Sequence, residues 1–360
     1  MITAIIFILV LGVLILVHEL GHFVMAKRAG MTVEEFGFGF PPTLWSTTKN
    51  GTKYSVNLIP FGGFVKILGE DGDNKNTNGS FSSKSTWARF GVIVAGVAMN
   101  FLLAVLLLAI VNTFGLRIGV DGTDSLSTAK DIKVQIIQVA AKSPADISGI
   151  KLLDQIVSMK VGETIVIMNS AKDVQDFVAN HKGSIANITI MRGSDQMVKN
   201  IEIRKNPPAG EGSLGIALAT TAIVKYPWYE AIWRGAYAAS ILLINTVMGY
   251  YLLFKTLIMS GRLMSDISGP IGIATLTGSA AKLGFNYLAQ FVAMISVNLA
   301  VLNFIPFPAL DGGRAVLLLV EKIRRSPLNK KIEGRINAIG FSLLIALMIY
   351  VTFRDVLKFF

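Results

Sequence analysis

His18-Glu19-Leu20-Gly21-His22 sets two imidazoles four residues apart with a carboxylate between them. On a helix, positions i and i+4 share a face, so both rings can reach one metal ion while Glu19 projects beside it. That donor set suits zinc hydrolysis: the metal makes water nucleophilic near neutral pH, and the carboxylate takes its proton as a general base. The chain has only three histidines in 360 residues, which argues against a chance pairing. The alternative is two histidines capping the end of a helix.

A catalytic zinc takes three protein ligands and leaves one position open. No cysteine is present, which removes thiolate zinc sites, iron–sulfur clusters, disulfides and cysteine nucleophiles. The third histidine, His181, lies in a polar stretch and reads as a surface residue. A carboxylate must then complete the set, and Asp311 is the candidate. It follows an uncharged run, Leu283–Leu310, and precedes Gly312-Gly313. An Asp-Gly pair is also a turn former. However, Pro306 and Pro308 interrupt an apolar segment here, and irregular backbone at membrane depth is tolerated only inside protein or beside water.

These residues must be positioned by membrane helices. Charged residues make up 16% of the chain and hydrophobic residues 52%, with mean hydropathy +0.57. A soluble domain carries about a quarter charged residues. Five uncharged runs approach spanning length: Met1–Val17, Phe90–Leu116, Gly235–Phe254, Leu283–Leu310 and Ile336–Phe353. The first lacks a basic leader and a small-residue cleavage site, so a retained helix is expected rather than a signal peptide. Lys and Arg number eight in 27–89 and seven in 314–335, which places both loops in the cytoplasm. The net charge of +11 is thereby largely a topology signal, and no aromatic-basic motif points to nucleic acid.

Residues 117–225 break the apolar pattern, with 13 Lys/Arg and 11 Asp/Glu. Short strands are expected at Val134–Val139, Ile156–Met159 and Thr164–Met168, a helix at Ala171–Asn180, and a final hairpin at Ile185–Met191 and Met197–Ile203. This predicts a small α+β or partly open β-barrel module. If the first helix runs inward and ends at His22, this module is extracytoplasmic. The helix leading to Asp311 must also run inward, so Gly235–Phe254 cannot be a single full crossing. Re-entrant or interfacial helices are expected there, with Tyr226, Trp228, Tyr229 and Trp233 at the interface. The expected organisation is a polytopic α-helical membrane protein of about four spans. Its parts are a membrane half over 1–116, the module over 117–225, interfacial or re-entrant helices over 226–282, and a second membrane half over 283–360.

The paired motifs H-E-L-G-H at 18–22 and N-F-I-P-F-P-A-L-D-G-G at 303–313 resemble the site-2 protease family of intramembrane zinc metalloproteases. Phe36-Gly37-Phe38-Gly39-Phe40-Pro41, Ile59-Pro60-Phe61-Gly62-Gly63-Phe64-Val65-Lys66 and Ser268-Gly269-Pro270-Ile271 extend the resemblance over almost the whole chain. Ser143-Pro144-Ala145 through Gly149 to Asp154 resembles a bacterial PDZ domain, with Leu153 where a glycine is usual; a PDZ island in this place resembles the RseP branch, with one such module here where the enteric relatives have two. Arg314 stands where relatives often have histidine. The resemblance implies Zn2+ held by His18, His22 and Asp311, with Glu19 as catalytic base. It implies a membrane-associated β-hairpin around Tyr54–Leu68, with Gly62, Gly63 and Phe64 holding an unwound substrate. Asn298 and Asn303 either bond neighbouring helices or hold substrate backbone. The expected activity is cleavage of single-span membrane proteins within or near the bilayer, in regulated intramembrane proteolysis at a bacterial inner membrane. The expected partners are transmembrane substrates, the lipid bilayer, and a peptide or protein ligand of the PDZ-like module, with no nucleic acid. A zinc transporter and a noncatalytic PDZ scaffold are the rival classes.

Overall fold

The computed structural model describes residues 2–70, 77–119, 130–193, 195–208, 210–261, 269–326 and 329–357. Ser268 of the 268–271 motif lies outside the described residues. In chain order the elements are α1 (Ile2–Arg28), β1 (Val33–Lys49), β2 (Thr52–Ile67), α2 (Thr86–Phe114), β3 (Leu116–Gly119), β4 (Lys130–Val139), α3 (Pro144–Ile147), β5 (Gln155–Val161) and β6 (Thr164–Ile167). There follow α4 (Ala171–Asn180), β7 (Ile185–Arg192), β8 (Asp195–Glu202), β9 (Ile216–Val224), α5 (Trp228–Ser260), α6 (Pro270–Leu283), α7 (Phe285–Phe304), α8 (Asp311–Arg324) and α9 (Lys330–Leu357). Two compact units result: Met1–Val111 with Tyr229–Phe360, and Asn112–Trp228.

The first unit is helical. Among the described residues, α1, α2, α5, α7 and α9 are long and apolar enough to cross a bilayer. Their inward faces interlock: Val10 and Leu14 of α1 pack with Val292 and Ile295 of α7, and Ala104 and Leu108 of α2 pack with Ala239 and Val297. Their outward faces are also apolar, as at Ile5, Leu9 and Val13 of α1. A helix apolar on both faces needs a non-aqueous surrounding, which is what a bilayer supplies.

Two expectations for this unit need correction. Gly235–Phe254 does not break into re-entrant pieces; it lies inside α5, one unbroken helix of 33 residues, about 50 Å long. The parity argument limits crossings, not helix continuity, and Trp228–Ser260 contains no proline to interrupt it. Five helices thus have spanning length, one for each of the five uncharged runs. Asp311, expected at the end of the late apolar helix, is instead the first residue of the separate helix α8, because Pro306 and Pro308 end the run after Phe304.

The hairpin is more folded than simple alternation suggests. Gly37 and Phe38 of β1 pair with Ser55 and Val56, and also with Phe64 and Gly63. The second half of β1, Thr43–Lys49, pairs with Thr52–Asn57. Both long strands therefore fold back, giving four ribbons in the order 43–49, 52–57, 35–40 and 63–67. Gly39 (φ +78°) and Gly62 (φ +119°) stand beside the two folds, in backbone that a side chain resists. The 63–67 ribbon is outermost, with no further strand beside it among the described residues.

The second unit is an antiparallel sheet in the order β3-β9-β4-β5-β7-β8, with β6 beside β5. Ile156, Met159, Ile188, Ile190 and Ile201 form its core with Val174 and Phe177 of α4. A capping box at Ser170 and Asp173 starts α4, and the Ser170 hydroxyl holds Asp173 below the usual carboxylate range. The unit is slightly wider than 117–225. Strand β9, unforeseen in the sequence, pairs with both β3 and β4 and draws these flanks into the sheet.

Leu153 sits in this unit at φ +68°, in the left-handed region that costs a side chain about 1–2 kcal/mol. Its neighbour Asp154 is buried and accepts two bonds of 2.8 Å from Arg192, so the turn cannot relax freely. Leu153→Gly should therefore stabilise the sheet unit by about 0.5–1 kcal/mol, after the entropy cost of glycine. A chemical-denaturation midpoint for the full chain, followed by a probe in this unit, should rise; an unchanged or lower midpoint would show that Leu153 packing outweighs the strain.

Candidate metal centre

Helix α1 continues without a break through His18 and His22, so the four-residue spacing brings both rings to one face. Helix α2 lies against that face at very short range. A Cβ on Gly21 would collide with the Ala95 backbone, and a Cβ on Gly96 would lie 2.5 Å from His22 Nε2 and 2.7 Å from His18 Cε1. Glycine at both positions lets the two backbones approach and leaves room for the imidazoles.

The turn after α7 delivers the third group. Phe307 N–H donates to the Ile305 carbonyl at 2.7 Å, and Leu310 N–H to Phe307 at 3.1 Å. Gly312 and Gly313 pack directly on the carbonyls of this turn, where any Cβ would clash. Asp311 then starts α8, an N-terminal position that favours a carboxylate. Its Oδ2 lies 3.0 Å from His18 Nε2 and 3.3 Å from His22 Nε2, and the two Nε2 atoms are 3.1 Å apart.

These distances test the fit of a metal. His22 Nδ1–H donates to the Val92 carbonyl at 2.8 Å, which leaves its Nε2 as a lone pair aimed at the cluster. Asp311 Oδ2 is buried and has no hydrogen-bond donor. Electron-rich atoms facing one another this closely repel unless a cation lies between them. A tetrahedral zinc with ligands at 2.0–2.1 Å has ligand–ligand edges of about 3.3 Å, close to the separations found. The residues present fit Zn2+ held by His18, His22 and Asp311, and all three ligand atoms lie within 4.8 Å of one another.

A cavity of about 250 Å3 opens beside this cluster. Glu19, Gly63, Phe64, Glu70 and Arg314 line it together with the three ligands. A Cβ on Gly63 would sit 3.2 Å from Glu19 Cγ, so the outer hairpin ribbon runs past the proposed base. Arg314 pairs with Glu70 across the cavity wall. Gly62 is not on the wall; the Phe40 ring lies against it. Asn298 and Asn303 do not line the cavity either, and the Asn298 amide donates to the Met294 carbonyl of its own helix at 3.0 Å. His181 lies in the other unit, where its ring stacks on Phe177.

Gly96, Asn100 and the Val92 carbonyl were not singled out from the sequence. The signal was present in G-V-A-M-N at 96–100, a glycine and a polar residue four apart inside an uncharged run. A polar side chain in an apolar helix signals a partner or a function, as at 298 and 303.

A model of peptidase family M50 matches residues 6–347. A "putative zinc metalloprotease" of Clostridium perfringens is 34% identical over 350 residues, covering 97% of each chain. Zinc metalloprotease RasP of Oceanobacillus iheyensis is 27% identical over 448 residues and covers 100% of both chains. RasP of Bacillus licheniformis is 28% identical over 443 residues, covering 99% of both.

Gly96→Ala should abolish stoichiometric zinc binding, because the added methyl would displace both rings. Gly91→Ala, on the same helix, meets only Met25 Cε at 3.6 Å and should keep its zinc. Metal analysis of the two purified variants makes the comparison; equal zinc contents would refute this account of the cradle.

Proposed function

Because this chain belongs to peptidase family M50, the site-2 proteases, and is a zinc metalloprotease, we propose that it hydrolyses peptide bonds of single-span membrane proteins within or near the bilayer. The observation that carries this is the depth of the cluster. His18 lies 16 residues beyond Ile2 on an unbroken apolar helix, about 24 Å along its axis. The hydrocarbon core is about 30 Å thick, which supports a cluster inside it, toward the end where the basic loop 27–89 would face the cytoplasm.

A transmembrane helix hides its carbonyls in its own hydrogen bonds, so the substrate must be unwound before attack. The outer ribbon 63–67 supports a route: its open edge would receive the unwound segment as an added strand, directly beside Glu19. Gly63 and Phe64 would flank that segment, and Gly62 would turn the ribbon toward it. Asn298 and Asn303 would hold substrate backbone farther along, with Asn298 exchanging its bond to Met294.

His18, His22 and Asp311 would hold the zinc. Bound zinc supplies Lewis acidity, which polarises a carbonyl and makes water nucleophilic near neutral pH. Glu19 would take the proton from the attacking water and deliver it to the nitrogen of the leaving amine, so that the peptide bond is replaced by a carboxylate and an amine. On this reading the protein would act in regulated intramembrane proteolysis in a bacterial inner membrane, with the sheet unit as a PDZ-like module outside the cytoplasm.

Glu19→Gln should keep its zinc while cleavage of single-span substrates falls by about 10²–10⁴-fold. Mass spectrometry of wild-type products should place the cuts within the spanning segments. Cuts confined to soluble loops would overturn intramembrane cleavage. Metal flux in proteoliposomes without any proteolysis would favour a transporter instead.

A further inference from the structure

We propose that Asn100 is a positioning residue of the metal centre: its amide oxygen accepts a hydrogen bond from His18 Nδ1–H and so keeps His18 Nε2 free as a ligand. The inference rests on the assignment of His18, His22 and Asp311 to the metal.

A neutral imidazole carries one proton. A ring that binds metal through Nε2 must carry it on Nδ1, and that N–H needs an acceptor to set the ring's tautomer and angle. His22 has one in the Val92 carbonyl, at 2.8 Å. The corresponding neighbour of His18 is the Asn100 side chain, whose Nδ2 lies 3.4 Å from His18 Nδ1.

Two features of Asn100 agree on how it serves. It is 1% exposed, and its Oδ1 is buried without a donor. As placed, an amide N–H faces a ring nitrogen that carries a proton whenever Nε2 binds metal, so two donors oppose each other. A half-turn of the amide interchanges two atoms of nearly equal size and leaves the rest of the side chain where it is. Oδ1 then faces Nδ1–H as an acceptor, and the orphaned oxygen gains its donor.

The backbone of Asn100 is also held. Ser296 of α7, fully buried, donates its hydroxyl to the Asn100 carbonyl at 2.7 Å. Helix α7 leads into the turn that delivers Asp311. Asn100 therefore joins the helix that aims one ligand to the helix that precedes another. A buried Asn between membrane helices could serve as interhelical glue alone; that role would leave metal affinity unchanged so long as the fold survives.

The experiment is chelator competition for zinc on the full-length protein in detergent, comparing wild type with Asn100→Leu and Asn100→Asp. Leu keeps the approximate volume and removes the acceptor; Asp keeps the acceptor. The expected result is a 10–100-fold weaker zinc affinity for Asn100→Leu, with most of it restored in Asn100→Asp, while the metal-free proteins melt alike. The visible band of bound Co2+ should broaden or weaken in Asn100→Leu only, reporting ligand geometry without reference to activity. If Asn100→Leu does not fold, Asn100→Ser replaces it, since its hydroxyl is too short to reach His18, and the same loss is expected. Wild-type affinity in the variant without an acceptor would overturn the proposal, as would an equal loss in Asn100→Asp with unchanged melting. If wild type itself binds no zinc, the three-ligand assignment falls first and this inference with it.

Discussion

Two imidazole nitrogens and a carboxylate oxygen face one another at about hydrogen-bond distance, in the interior of a bundle of apolar helices. His22 Nε2 has no proton to offer, because the opposite nitrogen donates to Val92. Asp311 Oδ2 is buried without a donor. Such a cluster is unfavourable by itself, since the charge is poorly solvated and the lone pairs repel. One divalent cation removes both penalties and becomes the largest local charge in the site.

The surrounding structure serves this convergence. The three ligands come from helices separated by almost the whole chain. The α1–α2 crossing is close enough only because Gly21 and Gly96 have no side chains. The 305–310 turn brings Asp311 inward because two prolines stop α7 and two glycines let α8 begin against the turn's own carbonyls. The hairpin then adds a fourth side. Its outermost ribbon passes Gly63 close to Glu19, which puts an open sheet edge and a carboxylate beside the metal position. An edge of unpaired backbone groups is a hazard in water. Beside a protease site in an apolar surrounding, it would, on the proposed mechanism, receive a chain that has lost its own helical bonds.

How much was legible depended on the range of each interaction. The two histidines were legible because i,i+4 spacing is a property of one helix. The membrane character was legible because solvent preference adds up residue by residue. The hairpin was only half legible. Period-2 alternation marks a strand but does not say which neighbour it pairs with, and here Gly37 and Phe38 pair on both sides. The continuity of α5 was misjudged because a count of crossings constrains topology and not the local helix, which lacks any breaker. Strand β9 was missed because its place in the sheet depends on partners about 80 to 100 residues away.

From composition, periodicity and spacing alone follow a membrane protein with an inserted polar module, a metal-binding histidine pair with its neighbouring carboxylate, and Asp311 as the remaining candidate ligand. Each depends on local geometry, on additive transfer energies, or on the short supply of other ligands. Tertiary structure alone decides that Asp311 reaches both histidines, that Gly96 leaves room for the rings, that Asn100 stands at the far side of His18, and that 63–67 is the outer ribbon. Those outcomes depend on contacts between residues tens to hundreds of positions apart, and pairwise contact at that range leaves no periodic trace in a single sequence.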